Sequence, residues 1–108
     1  MFTAIRATEL EERLRSGRPT VLVDVRQPWE HDLAKLPGSV LIPLPELPER
    51  AGEIDVPEGA LVVAYCHHGV RSHSGAAILD KHGFPNVASL IGGIEAWSLE
   101  VDPKTPRY

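Results

Sequence analysis

The sequence predicts an α/β protein built on a mainly parallel sheet. Three observations carry that expectation. Two runs, "TVLVDV" over 20–25 and "ALVVAY" over 60–65, are short, rich in β-branched residues and apolar almost throughout, as strands covered on both faces are. Helical patterns stand between such runs along the chain, and strands alternating with helices pair in parallel through crossover connections. Glycine and proline mark many of the boundaries.

The first helix is expected over 8–16. Thr8-Glu9-Leu10-Glu11 has the spacing of a capping box, and Leu10 and Leu14 share one helical face. Gly17 suits the residue after a helix end, and Pro19 bars continuation. After the strand at 20–25, Pro28 fits a first helical turn. That second helix should run over 28–36 until Pro37-Gly38 stops it. A short strand over 39–42 follows, then a helix over 44–54 whose start is confined by Pro45 and Pro48. The strand at 60–65 leads to a helix over 72–82 rich in small residues (Gly75, Ala76, Ala77). Gly83 closes it, with Phe84 placed for the apolar contact of the cap. A strand over 87–91, Gly92-Gly93 and a short helix containing Trp97 complete the core, and residues 102–108, with two prolines, read as an extended tail.

The 108 residues suit one compact domain, expected to span 1–108 with a core over about 3–101, and 43% hydrophobic content suffices for a real core. The net charge is −4 and no block of lysine and arginine stands out, which disfavours a nucleic-acid partner. No apolar run approaches the ~18 residues of a membrane span, and "MFTAIRATELEERL" lacks the charged-then-apolar pattern of a secretion signal. The lone cysteine, Cys66, can form no internal disulfide. A cytoplasmic protein in a reducing compartment is the expectation.

The chemistry converges on "CHHGVRS", residues 66–72. In open α/β sheets, sites form beyond the carboxyl ends of strands, where the next helix begins. Cys66 directly follows a predicted buried strand. Gly69 allows a tight turn that exposes backbone N–H groups, and the coming helix N-terminus adds partial positive charge. Arg71 adds a full one. Such surroundings favour a thiolate and could hold an anionic substrate or a charged sulfur intermediate. The plainer alternative is an inert buried thiol ending a strand. His67, His68 and His73 raise a metal site, but neighbouring histidines on a tight loop diverge and the paired ligand clusters of structural zinc are lacking. Neither His67 nor His68 is assigned as a general base. Asp24 and Arg26 end the first buried strand, on the same edge as Cys66, and could pair with each other or with loop groups. Glu30 could brace Arg26 or Arg71. Trp29 and Trp97 read as packing residues.

These pieces resemble the single-domain rhodaneses, the rhodanese-like sulfurtransferases, over roughly residues 3–101. "VLVDVRQPWEH" resembles the family's Asp-Val-Arg strand end with its downstream Glu. "KLPGSVLIP" is similar to its His-Ile-Pro-Gly-Ala segment with a following Ile-Pro, except that Lys35 stands where the family commonly has His. "CHHGVRS" matches the active loop Cys-x-x-Gly-x-Arg-Ser, and "GFPNVASLIGGIEAW" resembles the closing Gly-Phe, strand, Gly-Gly and Trp pattern. The resemblance implies a rhodanese-like three-layer α/β/α fold with a central sheet of about five strands.

It also implies a function. Cys66 would take sulfane sulfur from a donor such as thiosulfate, hold it as a persulfide and pass it to a thiophilic acceptor, a thiol or cyanide. The N–H groups of the loop His67, His68, Gly69, Val70, Arg71 and Ser72 would stabilise the persulfide, with Asp24, Arg26 and Glu30 in support. No metal and no cofactor enter. Two other readings stand beside it. One is a sulfur-relay module that a partner protein loads or unloads. The other is a small cysteine phosphatase or arsenate reductase. The six residues from Cys66 to Arg71 are one fewer than in the related loops of those enzymes, which suits sulfur better than a tetrahedral oxyanion. The absence of a second cysteine also removes a resolving thiol.

Overall fold

The computed structural model describes residues 2–108. Its elements alternate along the chain. They are β1 (Thr3–Ile5), α1 (Ala7–Arg15), β2 (Thr20–Asp24), α2 (Pro28–Leu33), β3 (Val40–Leu41), α3 (Leu47–Arg50), β4 (Leu61–Tyr65), α4 (Val70–His82), β5 (Val87–Leu90) and α5 (Gly93–Glu100). Among the described residues the strands form one five-stranded, wholly parallel sheet in the order β1-β5-β4-β2-β3. This is the α/β architecture the alternation predicts.

Strand alternation divides the core in two, because successive side chains leave a strand on opposite faces. Val23 and Val25, then Val62, Ala64 and Cys66, then Val87 face one side, where Leu47, Ala76 and Leu79 of α3 and α4 cover them. Leu22, Val63, Tyr65, Ala88 and Leu90 face the other, under Ala7 and Leu10 of α1 and Ile94 and Trp97 of α5. The connection after β2 packs Ala34 and Leu36 into this second layer, whereas α4, after β4, lies over the first. Connections therefore depart to opposite faces from the neighbouring strands β2 and β4, which opens a crevice at their carboxyl ends. Cys66 sits there.

Gly75 allows α4 its close seat. A Cβ at this position would come within 3.1 Å of Val25 Cγ1 and 3.7 Å of the Ala64 Cβ. Of the small residues that stood out in the sequence, Gly75 and Ala76 are thus on the face of a helix lying close on its sheet, whereas Ala77 is exposed.

Several boundaries differ from expectation. The cap of α1 lies two residues before Thr8: Arg6 is the cap, and its backbone N–H donates to Glu9 Oε1 at 3.0 Å. α2 stops at Leu33 rather than near residue 36, because Ala34 is already extended. The helix expected over 44–54 is broken into a 3-10 turn at Leu44–Glu46, the single turn α3 and a second 3-10 turn at Ala51–Glu53. Pro45 and Pro48 remove two backbone donors from this stretch. α4 begins at Val70, two residues before the expected start, because Gly69 caps it in the left-handed region at φ +103°. β1 is an element that no sequence signal marked.

Candidate active site

Cys66 directly follows β4 and is almost wholly buried. Its Sγ accepts two backbone hydrogen bonds, from Gly69 N at 3.1 Å and from Ser72 N at 3.3 Å. The chain turns around the sulfur and enters α4, so the cap residue Gly69 and Ser72 in the first turn of that helix point their N–H groups at the thiol. Gly69 is required twice over. Its φ of +103° favours glycine, and an added Cβ would lie 3.1 Å from Gly92 N.

The carbonyls of the same loop are drawn away from the sulfur by α5. Ile94 N donates to Cys66 O at 2.9 Å and Glu95 N to His67 O at 3.1 Å. Donors face inward and acceptors outward, which is the polarity an anionic sulfur requires. Ser72 adds a further tie. Its hydroxyl donates to Gly69 O at 3.2 Å and lies 2.9 Å from Ser89 Oγ, which therefore donates to it. Both serines are buried.

Arg71 leaves the loop sideways and meets Glu30 of α2. Its Nη1 and Nη2 reach Glu30 Oε1 and Oε2 at 2.6 and 2.9 Å, a two-pronged ion pair. Glu30 is buried although it carries charge, and every donor it needs is in place. Gln27 N donates to Oε1 at 3.0 Å and the Tyr108 hydroxyl to Oε2 at 2.7 Å. The Arg71 pairing outweighs the cost of burial and holds the Glu30 carboxyl down to about 2. Glu30 thus braces Arg71, one of the two partners its sequence position allowed.

Asp24 and Arg26 pair with each other. Both are fully buried, and Arg26 Nε and Nη2 reach Asp24 Oδ1 and Oδ2 at 2.8 and 2.7 Å. His31 Nδ1 lies 2.8 Å from Asp24 Oδ2, the Arg26 Nη2 also donates to Ala34 O, and Nη1 donates to the Tyr108 hydroxyl at 2.6 Å. Burial lowers the Arg26 pKa, but the bonds to Asp24 and Tyr108 more than compensate and raise it. The Tyr108 hydroxyl links this pair to Glu30.

His67 and His68 belong to an aromatic stack. The His67 ring lies between His68 and Tyr108, each with centroid 3.8 Å away, and Trp29 meets Tyr108 edge-on at 5.8 Å. Burial first, then the neighbouring His68, lowers the His67 pKa, and its Nε2 has no hydrogen-bond partner. Among the described residues no group of three or more His, Cys, Asp or Glu could hold a metal ion. Trp97 packs in the core as expected, but Trp29 is 59% exposed. Val70 is exposed at the turn, and Lys35, the departure from the resembled pattern, is exposed as well.

Open clefts flank the loop on both sides. One, of about 690 Å³, runs past Phe2, His68, Val70, His73 and Ile91. The other, of about 330 Å³, is lined by Arg26, Pro43, Leu44 and Arg71 among others.

Two contributors were not singled out from sequence. Gly93 has φ +60°, and a Cβ there would overlap the carbonyl oxygens of Cys66 and His67. The Gly92-Gly93 pair ahead of a helix was its available signal. Tyr108 had none, because the groups it touches are far away in the chain.

A cysteine just past the end of a central parallel strand, inside a turn whose amides face its sulfur, defines an α/β protein with a backbone cradle for a thiol. The chain belongs to the rhodanese-like domain family, whose family model matches residues 6–100. It is 37% identical over 106 residues to "Probable adenylyltransferase/sulfurtransferase MoeZ" of Mycobacterium tuberculosis, covering 98% of this chain and 27% of that protein. The chain therefore spans about a quarter of that relative. It is 36% identical over 98 residues to a protein of Allochromatium vinosum named "Sulfurtransferase", covering 91% of this chain and 90% of that one. Among solved structures, the rhodanese-related protein of Thermoplasma volcanium superposes with a TM-score of 0.79 at 27% identity, covering 97% of this chain and 96% of that one.

Proposed function

We propose that this chain is a sulfurtransferase that carries sulfane sulfur on Cys66. The observation that carries the reading is the pair of backbone N–H groups, from Gly69 and Ser72, converging on the Cys66 Sγ. They favour negative charge at this place, on Sγ in the thiolate and on the adjoining outer sulfur in the persulfide. The names of the relatives point to the same chemistry.

Two displacements complete a cycle. The Cys66 thiolate attacks the outer sulfur of a donor such as thiosulfate. The donor's S–S bond breaks, and sulfite leaves with the bonding pair. Cys66 then holds the sulfur as a persulfide. An acceptor nucleophile, cyanide or a thiolate, attacks the outer sulfur, and the bonding pair returns to Sγ. Each step is a substitution in which one bond forms and one breaks, so no cofactor is called for and ping-pong kinetics follow. Arg71, held at the loop edge by Glu30, supplies positive charge for an anionic donor.

Exposure to thiosulfate should make the protein one sulfur atom heavier by mass spectrometry, cyanide should remove that mass, and Cys66→Ser should acquire none. If no sulfane donor loads Cys66, the reading fails. A protein donor or acceptor is the finer alternative, favoured by the relative in which this chain covers 27% of a longer adenylyltransferase/sulfurtransferase. Slow loading by thiosulfate with fast loading from a persulfidated protein would select it.

A further inference from the structure

The tail beyond α5 is built to deliver one side chain. Asp102 N donates to Trp97 O at 3.0 Å, Thr105 O accepts from Ser98 Oγ at 2.7 Å, and Arg107 grips Glu95 through Nε and Nη2 at 3.1 and 2.7 Å. Glu95 is also the residue whose N–H holds the His67 carbonyl. Pro103 and Pro106 restrict the backbone between these ties. Tyr108 therefore arrives on the active loop from a chain already anchored to it.

There it links the Asp24–Arg26 pair to the Glu30–Arg71 pair. Its hydroxyl accepts from Arg26 Nη1 at 2.6 Å and donates to Glu30 Oε2 at 2.7 Å, while its ring stacks on His67 at an interplanar angle of 10°. A phenol that accepts from a guanidinium is a stronger donor through polarisation. Its partner, Glu30, is the carboxylate that grips Arg71. Each donor that Glu30 accepts besides Arg71 spreads the carboxylate charge and leaves more of the Arg71 cation uncompensated at the mouth of the loop.

We infer that Tyr108 is a positioning residue for Arg71: through Glu30 it sets how strongly Arg71 favours anionic over neutral reagents at Cys66. This rests on Cys66 being the nucleophile of the proposed function, and it assigns the preference for anionic donors to a network that begins in the tail.

The test compares Cys66 alkylation by iodoacetate, an anion, with alkylation by iodoacetamide, its neutral analogue, in the full chain. Tyr108→Phe keeps the ring and removes the hydroxyl; Tyr108→Leu removes both. Losing one hydrogen bond to a charged group should lower the iodoacetate-to-iodoacetamide rate ratio about three- to tenfold in both variants. The iodoacetamide rate should hold, and the KM for thiosulfate should rise more than kcat falls. Arg71→Met should lower the ratio in the same direction. The inference is overturned by a ratio that is unchanged in Tyr108→Phe, by equal loss of both rates, by loss in Tyr108→Leu alone, or by an unchanged ratio in Arg71→Met. The alkylation ratio needs no sulfur donor. A protein that never takes up sulfur would thus sink the proposed function and leave this measurement intact.

Discussion

Gly93 lies so close to Cys66 that a side chain at position 93 would overlap the Cys66 carbonyl oxygen. The first turn of α5 is thereby pressed against the backbone of the residue that carries the cradled thiol. Gly93→Ala should separate the two, adding left-handed strain to a steric clash with backbone that cannot yield as a side chain would. The expected loss is about 2 kcal/mol or more, read as a lower thermal midpoint. Iodoacetamide should alkylate Cys66 at a changed rate even well below the transition, because the carbonyls of 66 and 67 lose their donors. A Gly93→Ala protein matching the parent in both measurements would contradict this account.

Glu30 should give stability a characteristic dependence on acid. Its carboxyl is held at about 2 against an ordinary 4.5, chiefly by Arg71. A depressed folded-state value stabilises the protein above the unfolded value and is lost as pH falls through the folded one. The contribution should be complete above about pH 4.5, amount to about 3 kcal/mol, and disappear between there and about pH 2. Urea titrations from neutrality down to about pH 2.5 should show this fall. Glu30→Gln should be less stable at neutral pH and show a shallower decline in acid. An equally steep decline would assign the acid sensitivity elsewhere.

The parts of this fold legible in the sequence are those that local chemistry decides. β2 and β4 are buried on both faces, so their apolar runs stand out, and Cys66 and Gly69 follow one of them directly. β1 is three residues long at the sheet edge, with Thr3 and Ala4 exposed, and so carries no periodic signal. The breaks in 44–54 depended on how two prolines divide a short stretch, which their presence alone does not determine. The Tyr108 bridge was illegible for another reason. Its partners stand 78 and 82 residues earlier in the chain, and only the folded tail brings them together.

A residue beneath the "KLPGS" segment and one within it should behave oppositely. Tyr65 is buried beneath it, accepting from Leu36 N at 3.2 Å and donating to Ser39 Oγ at 2.8 Å. The direction of the second bond follows because Ser39 Oγ itself donates to Leu36 O at 2.8 Å. Tyr65→Phe removes that hydroxyl and strands a buried backbone N–H, at a cost of about 1–3 kcal/mol. Lys35 is exposed, and Lys35→Ala should change stability by no more than about 0.5 kcal/mol. Urea denaturation of the two variants in parallel decides the matter. A large loss from Lys35→Ala would restore a structural role to the position where this chain departs from the resembled pattern.

The cradle itself is made of backbone, and that separates two substitutions beside Cys66. Ser72→Ala removes a hydroxyl that fastens Gly69 O and receives Ser89, but the Ser72 N–H on Sγ survives. Gly69→Ala leaves its own N–H in place chemically yet cannot hold it there. Alanine resists φ +103°, and its Cβ would press on Gly92 N at 3.1 Å. If aimed amides are what stabilise sulfur on Cys66, misaiming one should slow sulfur uptake from thiosulfate by about tenfold or more. Losing only the fastening hydroxyl should cost about 1 kcal/mol of stability and leave uptake within a few-fold of the parent. Uptake rates followed by mass spectrometry, alongside urea midpoints, distinguish the cases. The reverse order, with Ser72→Ala the more damaged in uptake, would mean that the serine side chain, rather than the turn of backbone around it, handles the sulfur.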